Sequence, residues 1–186
     1  GALAATEDWN RTPGRKVKVK LEKVFYSADP QDQKKQYDRM TKENKPAAVL
    51  GPMYGHVTMN IKDNISRAAI PYLTGASTVS ITENNDGNIF RFRTDDRVMV
   101  NGIAKFAAND LNKKKVALLY TNGPYGLGAK DILLQSAEEY QMSIINLLPY
   151  QDQSNDLSTQ IKELRNSDAE CLIIWVLPNE IPAIRQ

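Results

Sequence analysis

Residues 72–82 read YLTGASTVSIT, a short apolar run that ends in a glycine and then in small and hydroxyl-bearing residues. Two interpretations fit this stretch. In the first it is a turn, where glycine permits unusual backbone angles and the hydroxyls satisfy nearby backbone groups. In the second it is a polar clamp, in which carbonyls and the Ser77 hydroxyl receive an ammonium while N–H groups and hydroxyls donate to a carboxylate. The spacing alone does not decide between them.

The chain on both sides of this stretch alternates apolar, β-rich runs with amphipathic helical patterns. Such alternation is typical of parallel βαβ units, so the sequence predicts an α/β fold. An Asp-Pro pair at 29–30 predicts a helix start, because aspartate caps and proline is tolerated in the first turn. The predicted strands are 16–24, 47–50, 70–73, 89–92, 116–120, 144–148 and 172–176. The predicted helices are 29–44, 55–67, 98–111, one after Gly126, and 156–165.

Composition excludes several function classes. The 24 basic and 22 acidic side chains leave a net charge of +2, and the lysines are spread along the chain, so no nucleic-acid partner is expected. No apolar run is long enough for a membrane span. The single cysteine, Cys171, cannot form an internal disulfide, and we expect it to be buried within CLIIWVL. With one histidine and one cysteine in different βα units, no metal site is expected.

Catalytic motifs are also missing from the loops that follow the predicted strands. The loop NGPYGLGAK at 122–130 lacks the Gly-Lys-Ser/Thr ending of a phosphate loop, and no G-x-S-x-G motif occurs. His56 follows Gly55 at a predicted helix start without a nearby acid or nucleophile, which favours a solvated or capping role over proton transfer. Tyr125 offers a flat apolar face and a hydroxyl for a ligand, or packs over the following helix. We therefore predict no enzyme, no catalytic residue and no cofactor.

Taken together in order, these segments resemble the type I periplasmic binding proteins, and within them the branched-chain amino-acid receptors of ABC importers. The resemblance covers essentially all 186 residues. It implies doubly wound parallel sheets in two lobes, residues 1–111 and 112–186, both incomplete. The segments that carry it are GALAATEDWN, GRKVKVKLEKV, ADPQDQ, AAVLGPMYG, AIPYLTGASTVSIT, IFRFRTDD and KKVALLYTNGPYGLG.

The resemblance implies an interlobe cleft that closes on an amino acid or a related aromatic or aliphatic carboxylate. The loop at 74–78 matches the segment that holds the ligand's ammonium and carboxylate in the family, and Tyr125 matches a tyrosine that reaches across from the second lobe. Gly55 stands where the family commonly has a serine, so one hydroxyl is missing. The apolar Leu177 favours an apolar or aromatic ligand. The implied ligand-binding residues are Tyr54, Gly55, Gly75, Ala76, Ser77, Tyr125 and Leu177.

The resemblance also implies partners and a location. The expected partners are the small ligand and an ABC permease in the membrane, with an extracytoplasmic location, free or lipid-anchored. An alternative is a sensory receptor of the same fold that signals to a protein. The chain is expected to lack the family's first strand and the later part of the second lobe, including the usual carboxylate for the ligand's ammonium. A missing first strand would leave a sheet edge through which the protein could dimerise.

Overall fold

The computed structural model describes residues 1–83, 87–151 and 156–176. It divides into two units, Gly1–Lys45 and Pro46–Gln186, which we describe separately. None of the helices in the described part of the chain is both long and apolar enough to cross a membrane.

The first unit contains two helices, α1 (Ala2–Arg11) and α2 (Pro30–Asn44). The sequence predicted α2 correctly, and its cap is as expected, because the Asp29 side chain accepts hydrogen bonds from the Gln31 and Asp32 N–H groups. Helix α1 was not predicted.

The predicted strand at 16–24 is wrong, since no residue of this segment lies in a strand of the described structure. Its polar backbone groups bond instead to side chains of α1: Trp9 Nε1 donates to the Val17 carbonyl, and Asn10 exchanges two hydrogen bonds with Val19. Alternating apolar and lysine residues are typical of a strand, but a strand also needs a second segment with which to form backbone hydrogen bonds.

The second unit contains a first parallel sheet in the order β1 (Val49–Leu50), β2 (Tyr72–Thr74), β3 (Ile89–Arg91). The predicted helix at 55–67 is present as two shorter helices, α3 (Gly55–Asn60) and α4 (Lys62–Ala68). The helical pattern breaks at Ile61, in a stretch of β-branched residues and asparagine that form helices poorly.

A second parallel sheet in the same unit has the order β5 (Ser143–Tyr150), β4 (Lys115–Thr121), β6 (Cys171–Trp175). All residues of central β4 except the first are buried, as expected for a strand covered on both faces. Helices α5 (Asp96–Lys105) and α6 (Pro124–Glu139) contribute to the core on one face, and Leu157, directly before α7 (Ser158–Arg165), packs into the core on the other. The predicted α/β fold with doubly wound parallel sheets is therefore confirmed.

Helix α5 links the two sheets and continues into a π-helical turn at Phe106–Asp110. Val100, Ala104 and Ala107 of this stretch share a core with β4, β6 and α6, whereas Ile103 and Leu111 are exposed. The predicted lobe boundary after residue 111 stays a proposal. A boundary after residue 111 would assign α5 to the first lobe, although α5 shares a core with the second sheet.

Candidate functional site

The loops that follow β1 and β2 are neighbours at the carboxyl edge of the first sheet, where ligands bind in open α/β sheets. The buried Thr74 hydroxyl joins them, since it donates to the Pro52 carbonyl at 2.9 Å and accepts from the Ala76 N–H at 3.0 Å. We call residues 75–78 the corner loop. Thr74 at the end of β2 thereby fixes the corner loop against the segment that leads into α3.

The corner loop is anchored through its later carbonyls. The Ser77 carbonyl accepts from the Asp96 N–H at 3.0 Å and from Arg91 Nη1 at 2.6 Å, and Arg91 Nη2 reaches the Thr78 carbonyl at 2.9 Å. Burial lowers the pKa of Arg91, with the nearby Asp95 and Asp96 charges opposing the shift. The guanidinium therefore places positive charge beside this loop.

The other backbone groups of the corner loop are left without partners among the described residues. These are the carbonyls of Gly75 and Ala76 and the N–H groups of Gly75, Ser77 and Thr78. Gly75, Ala76 and Ser77 are buried and Thr78 is half-buried. Because buried backbone groups are nearly always paired, this loop has two acceptors and three donors ready for a bound molecule.

Asp96, in the first turn of α5, brings a carboxylate to the same place. Its side chain is only 3% exposed, and its Oδ1 has no partner in the described structure. Burial raises the pKa of Asp96, although the nearby Ser77 hydroxyl and the charges of Arg91 and Arg93 act in the opposite direction. A buried carboxylate oxygen without a partner destabilises the fold unless a cation or a hydrogen-bond donor pairs with it.

The sequence prediction missed Asp96. A signal was present, because Asp95 and Asp96 precede the apolar stripe of α5 and only one of them can cap the helix. The structure assigns the cap to Asp95, whose carboxylate accepts from the Arg97 and Val98 N–H groups. That leaves the second carboxylate free for another role.

The two glycines of the predicted site are both crowded. A Cβ on Gly75 would overlap Met53 Sδ and lie 3.0 Å from the Phe92 ring, and a Cβ on Gly55 would overlap the Thr78 hydroxyl. Met53 and Phe92 are exposed, as is Tyr54 directly before α3. Tyr54 is tilted against the exposed His56 ring at a centroid distance of 5.8 Å. The apolar Met53 and Phe92 side chains thus lie beside Gly75 of the polar corner loop.

Tyr125 lies in the first turn of α6 and is half-buried against Trp175, with ring centroids 5.3 Å apart. Burial raises the pKa of Tyr125 to about 12, and the negative charge of Asp96 contributes to the shift while Arg93 opposes it. The Tyr125 hydroxyl is therefore neutral and within electrostatic reach of the Asp96 carboxylate. Leu177, the last predicted site residue, lies outside the described residues.

The second sheet carries a cavity of about 220 Å³ at its carboxyl edge, where β4 and β5 end. Its lining is mostly polar: Asn122, Pro149, Tyr150, Gln151, Asp156 and Gln160. Within residues 1–83, 87–151 and 156–176, no three histidine, cysteine or acidic side chains are grouped so as to hold a metal ion.

Comparisons with known proteins agree with this arrangement. A family model described as periplasmic binding protein matches residues 1–186. The amino acid binding protein of Pseudomonas aeruginosa is 26% identical over 191 residues, which cover 100% of this chain and 50% of that protein. The chain therefore spans about half the length of this relative.

Two solved structures of the same fold are likewise matched over about half of their own length. The branched-chain amino acid transporter substrate binding protein LivJ of Streptococcus pneumoniae, in complex with isoleucine, has a TM-score of 0.82 at 19% identity, covering 93% of this chain and 49% of that one. A solute binding protein of an ABC transporter from Rhodopseudomonas palustris, in complex with p-hydroxybenzoic acid, has a TM-score of 0.80 at 19% identity, covering 97% and 50%. The match over all 186 residues settles the class: this chain belongs to the periplasmic binding protein family.

Proposed function

We propose that this chain is part of the extracytoplasmic solute-binding component of an ABC importer, and that its ligand is an amino acid. The observation that carries the proposal is the buried Asp96 carboxylate, whose Oδ1 has no described partner, beside the unpaired groups of the corner loop. An ammonium satisfies Asp96 and the free carbonyls of Gly75 and Ala76. A carboxylate satisfies the free N–H groups on the other side of the loop.

The relatives with known ligands suggest two ligand classes, amino acids and aromatic acids. The buried Asp96 favours the first, because an aromatic acid has no cation to balance a second negative charge. The exposed Met53, Phe92 and Tyr54 favour an apolar side chain on the ligand. Closure of the second lobe would bring Tyr125 over the bound molecule and form the surface that a permease recognises.

Calorimetry on the protein that contains this chain tests the proposal. The ligands are L-leucine, L-isoleucine, L-valine, L-phenylalanine, 4-hydroxybenzoate and 4-methylpentanoate, which is leucine without its ammonium. We expect at least one of the amino acids to bind, and 4-methylpentanoate to bind at least 10-fold more weakly than leucine if leucine binds. Failure of all six to bind would contradict the proposal. Tight binding of 4-hydroxybenzoate alone would show that the ligand is an aromatic acid and not an amino acid.

Asp96→Asn is the sharpest variant for this test. Loss of the charge should weaken amino-acid binding by about 10- to 100-fold, as expected for a charge-assisted hydrogen bond of about 1.5 to 3 kcal/mol. It should not weaken 4-methylpentanoate binding, because the substitution also removes the repulsion between Asp96 and an acid that has no ammonium. Equal weakening for both ligands would instead indicate a general structural defect.

The same variant has a predicted effect on stability. Because burial raises the pKa of Asp96, its ionised form destabilises the fold above that pKa, and stability returns as the pH falls toward the ordinary carboxyl range. Without ligand, Asp96→Asn should therefore melt at a higher temperature than the wild type at pH 7.5, with a smaller difference near pH 4. A lower melting temperature at pH 7.5 would show that Asp96 is structural.

A further inference from the structure

The segment that leads from β3 into α5 carries three arginines, and two of them have acceptors in the fold. Arg91 donates to two carbonyls of the corner loop. The Arg97 guanidinium lies 2.8 Å from the Asp95 carboxylate and 3.6 Å from that of Glu83. The charges of Arg91 and Arg97 are therefore already engaged.

The third, Arg93, is exposed and has no carboxylate partner in the described part of the chain. Its Nη2 lies 3.2 Å from Met99 Sδ, and a thioether is only a weak acceptor. Since Met99 comes three residues after Asp96 in α5, the two side chains share one face of this helix. Contact with Met99 thus places the Arg93 guanidinium about one helical turn from the Asp96 carboxylate.

Strand register and electrostatics also place Arg93 at the candidate site. Thr74 of β2 pairs with Arg91 of β3, so the corner loop and the segment with Arg93 leave the sheet side by side. Burial raises the pKa of both Asp96 and Tyr125, and the positive charge of Arg93 opposes both shifts. A ligand held at Asp96 is therefore within electrostatic reach of Arg93.

The charges of the proposed amino-acid complex balance without Arg93. The ligand ammonium offsets Asp96, the positive charge of Arg91 offsets the ligand carboxylate, and Asp95 offsets Arg97. The Arg93 charge is left to act on the ligand's side chain. It repels a cationic side chain, attracts an anionic one and has little effect on a neutral one.

We propose that Arg93 determines specificity for the charge of the ligand's side chain: the site accepts amino acids whose side chain ends in a neutral or anionic group and rejects those whose side chain ends in a cation. This inference rests on the proposed function and extends it to the far end of the ligand. Met53 and Phe92, beside Gly75, contact the methylene groups of the ligand. Arg93, which follows Phe92 in the chain, acts on the end of its side chain.

Three α-amino acids with the same six-carbon chain test this inference. Their side chains end in a methyl group in L-norleucine, a carboxylate in L-2-aminoadipate and an ammonium in L-lysine. By calorimetry on the protein that contains this chain, norleucine and 2-aminoadipate should bind, and 2-aminoadipate should bind at least about 10-fold more tightly than lysine. Arg93→Glu should reverse the order of 2-aminoadipate and lysine and leave norleucine binding within about 3-fold of wild type.

Arg93→Gln and Arg97→Gln form the matched pair of variants. Arg93→Gln should lower the ratio of the lysine to the 2-aminoadipate dissociation constant by about 10-fold. Arg97→Gln removes a charge that is already paired with Asp95 and Glu83, so it should leave this ratio within about 2-fold of wild type. Because the ratio compares two ligands on one protein, a general loss of stability does not change it. Should Arg93→Glu fold poorly, Arg93→Gln alone decides the test.

The outcomes distinguish the two proposals. A wild-type protein that binds none of the three ligands and no amino acid of the earlier panel overturns the proposed function and this inference with it. A wild-type protein that binds an amino acid of that panel overturns this inference alone if it binds none of the three, or if Arg93→Gln leaves the ratio unchanged. An equal change of the ratio in Arg97→Gln would assign the effect to the net charge of the protein and also overturn it.

Discussion

Gly126, in the first turn of α6, allows this helix to pack closely against the end of β4. The backbone of Thr121 at the end of β4 lies so close that a Cβ on Gly126 would overlap the Thr121 carbonyl oxygen and lie 2.8 Å from its nitrogen. These are backbone atoms, which cannot rotate away. The position of Tyr125, directly before this glycine, depends on that close approach.

Gly126→Ala is therefore expected to destabilise the protein by about 1 to 3 kcal/mol, the usual cost of overpacking. The matched control is Gly128→Ala in the same helix, where no atom lies within 4 Å of the added Cβ and the substitution should be neutral or stabilising by up to about 1 kcal/mol. Chemical denaturation measures both. Equal effects of the two substitutions would mean that the contact with Thr121 carries no stability.

At the same scale, the sequence predicted the position of the polar corner loop but not the partners of its side chains. The position of this loop after an apolar strand left its role open, and Gly75 and Ser77 were named as ligand-binding residues from the family resemblance, a role that stays a prediction. Asp96 was missed because burial and an unpaired oxygen depend on how the segment after β3 folds back onto the corner loop. That contact joins residues far apart in sequence, and no local pattern encodes it.

At the scale of the element, Asp95 caps the N-terminus of α5, the helix that links the two sheets. Its carboxylate accepts from two N–H groups of the first turn and from the Arg97 guanidinium at 2.8 Å. Burial acts to raise the pKa of Asp95, but the hydrogen bonds and charge of Arg97, with the Val98 N–H, lower it overall. The ionised cap therefore stabilises the helix start that also carries Asp96.

Asp95→Ala should destabilise the protein by about 1 kcal/mol at pH 7. A lowered pKa means that this contribution is present above the ordinary carboxyl pKa and is lost as the pH falls through the folded-state value, so the effect should shrink in acid. Thermal melts at pH 7 and pH 3 measure it. Asp95→Asn, which retains a capping acceptor, should lose less stability than Asp95→Ala. A cost that stays constant over this pH range would contradict an ionised cap.

Elements with local signals were predicted well, and elements that depend on a distant partner were not. Helix α2 follows from Asp29 and Pro30, which act within one turn. The segment at 16–24 has the alternation of a strand, yet strand formation requires a second segment at ladder distance. Helix α1 was missed because it lacks a local start signal: no side chain caps its first turn, and that turn carries no acidic residue.

At the scale of the whole molecule, the alternating pattern predicted parallel sheets, and these are confirmed. The order β5-β4-β6 could not be predicted, because strand pairing is not local. Once the order is known, it explains the continuous apolar run of β4, which lies between two neighbours and under helices on both faces. The sheets end in two groups of loops, one with Ser77 and one with Tyr125.

Lobe closure on a ligand should change the surroundings of Trp175. Its ring is tilted by 32° against the Tyr125 ring, and its buried Nε1 has no partner among the described residues, so its emission should respond when Tyr125 contacts a ligand. The other tryptophan of the chain, Trp9, lies in the first unit with the Arg15 guanidinium 3.7 Å from its ring centroid. Replacement of Trp9 therefore leaves Trp175 as the one tryptophan of the printed sequence.

In Trp9→Phe, titration with an amino acid that binds by calorimetry should change the emission and saturate with the same dissociation constant. The change should be absent in Trp9→Phe/Trp175→Phe, which serves as the background, and in Trp9→Phe/Asp96→Asn at ligand concentrations below that variant's weakened dissociation constant. Since the signal depends on Tyr125 moving relative to Trp175, heat of binding without any change in emission would mean that the ligand is held by the first lobe alone, and closure through Tyr125 would have to be abandoned.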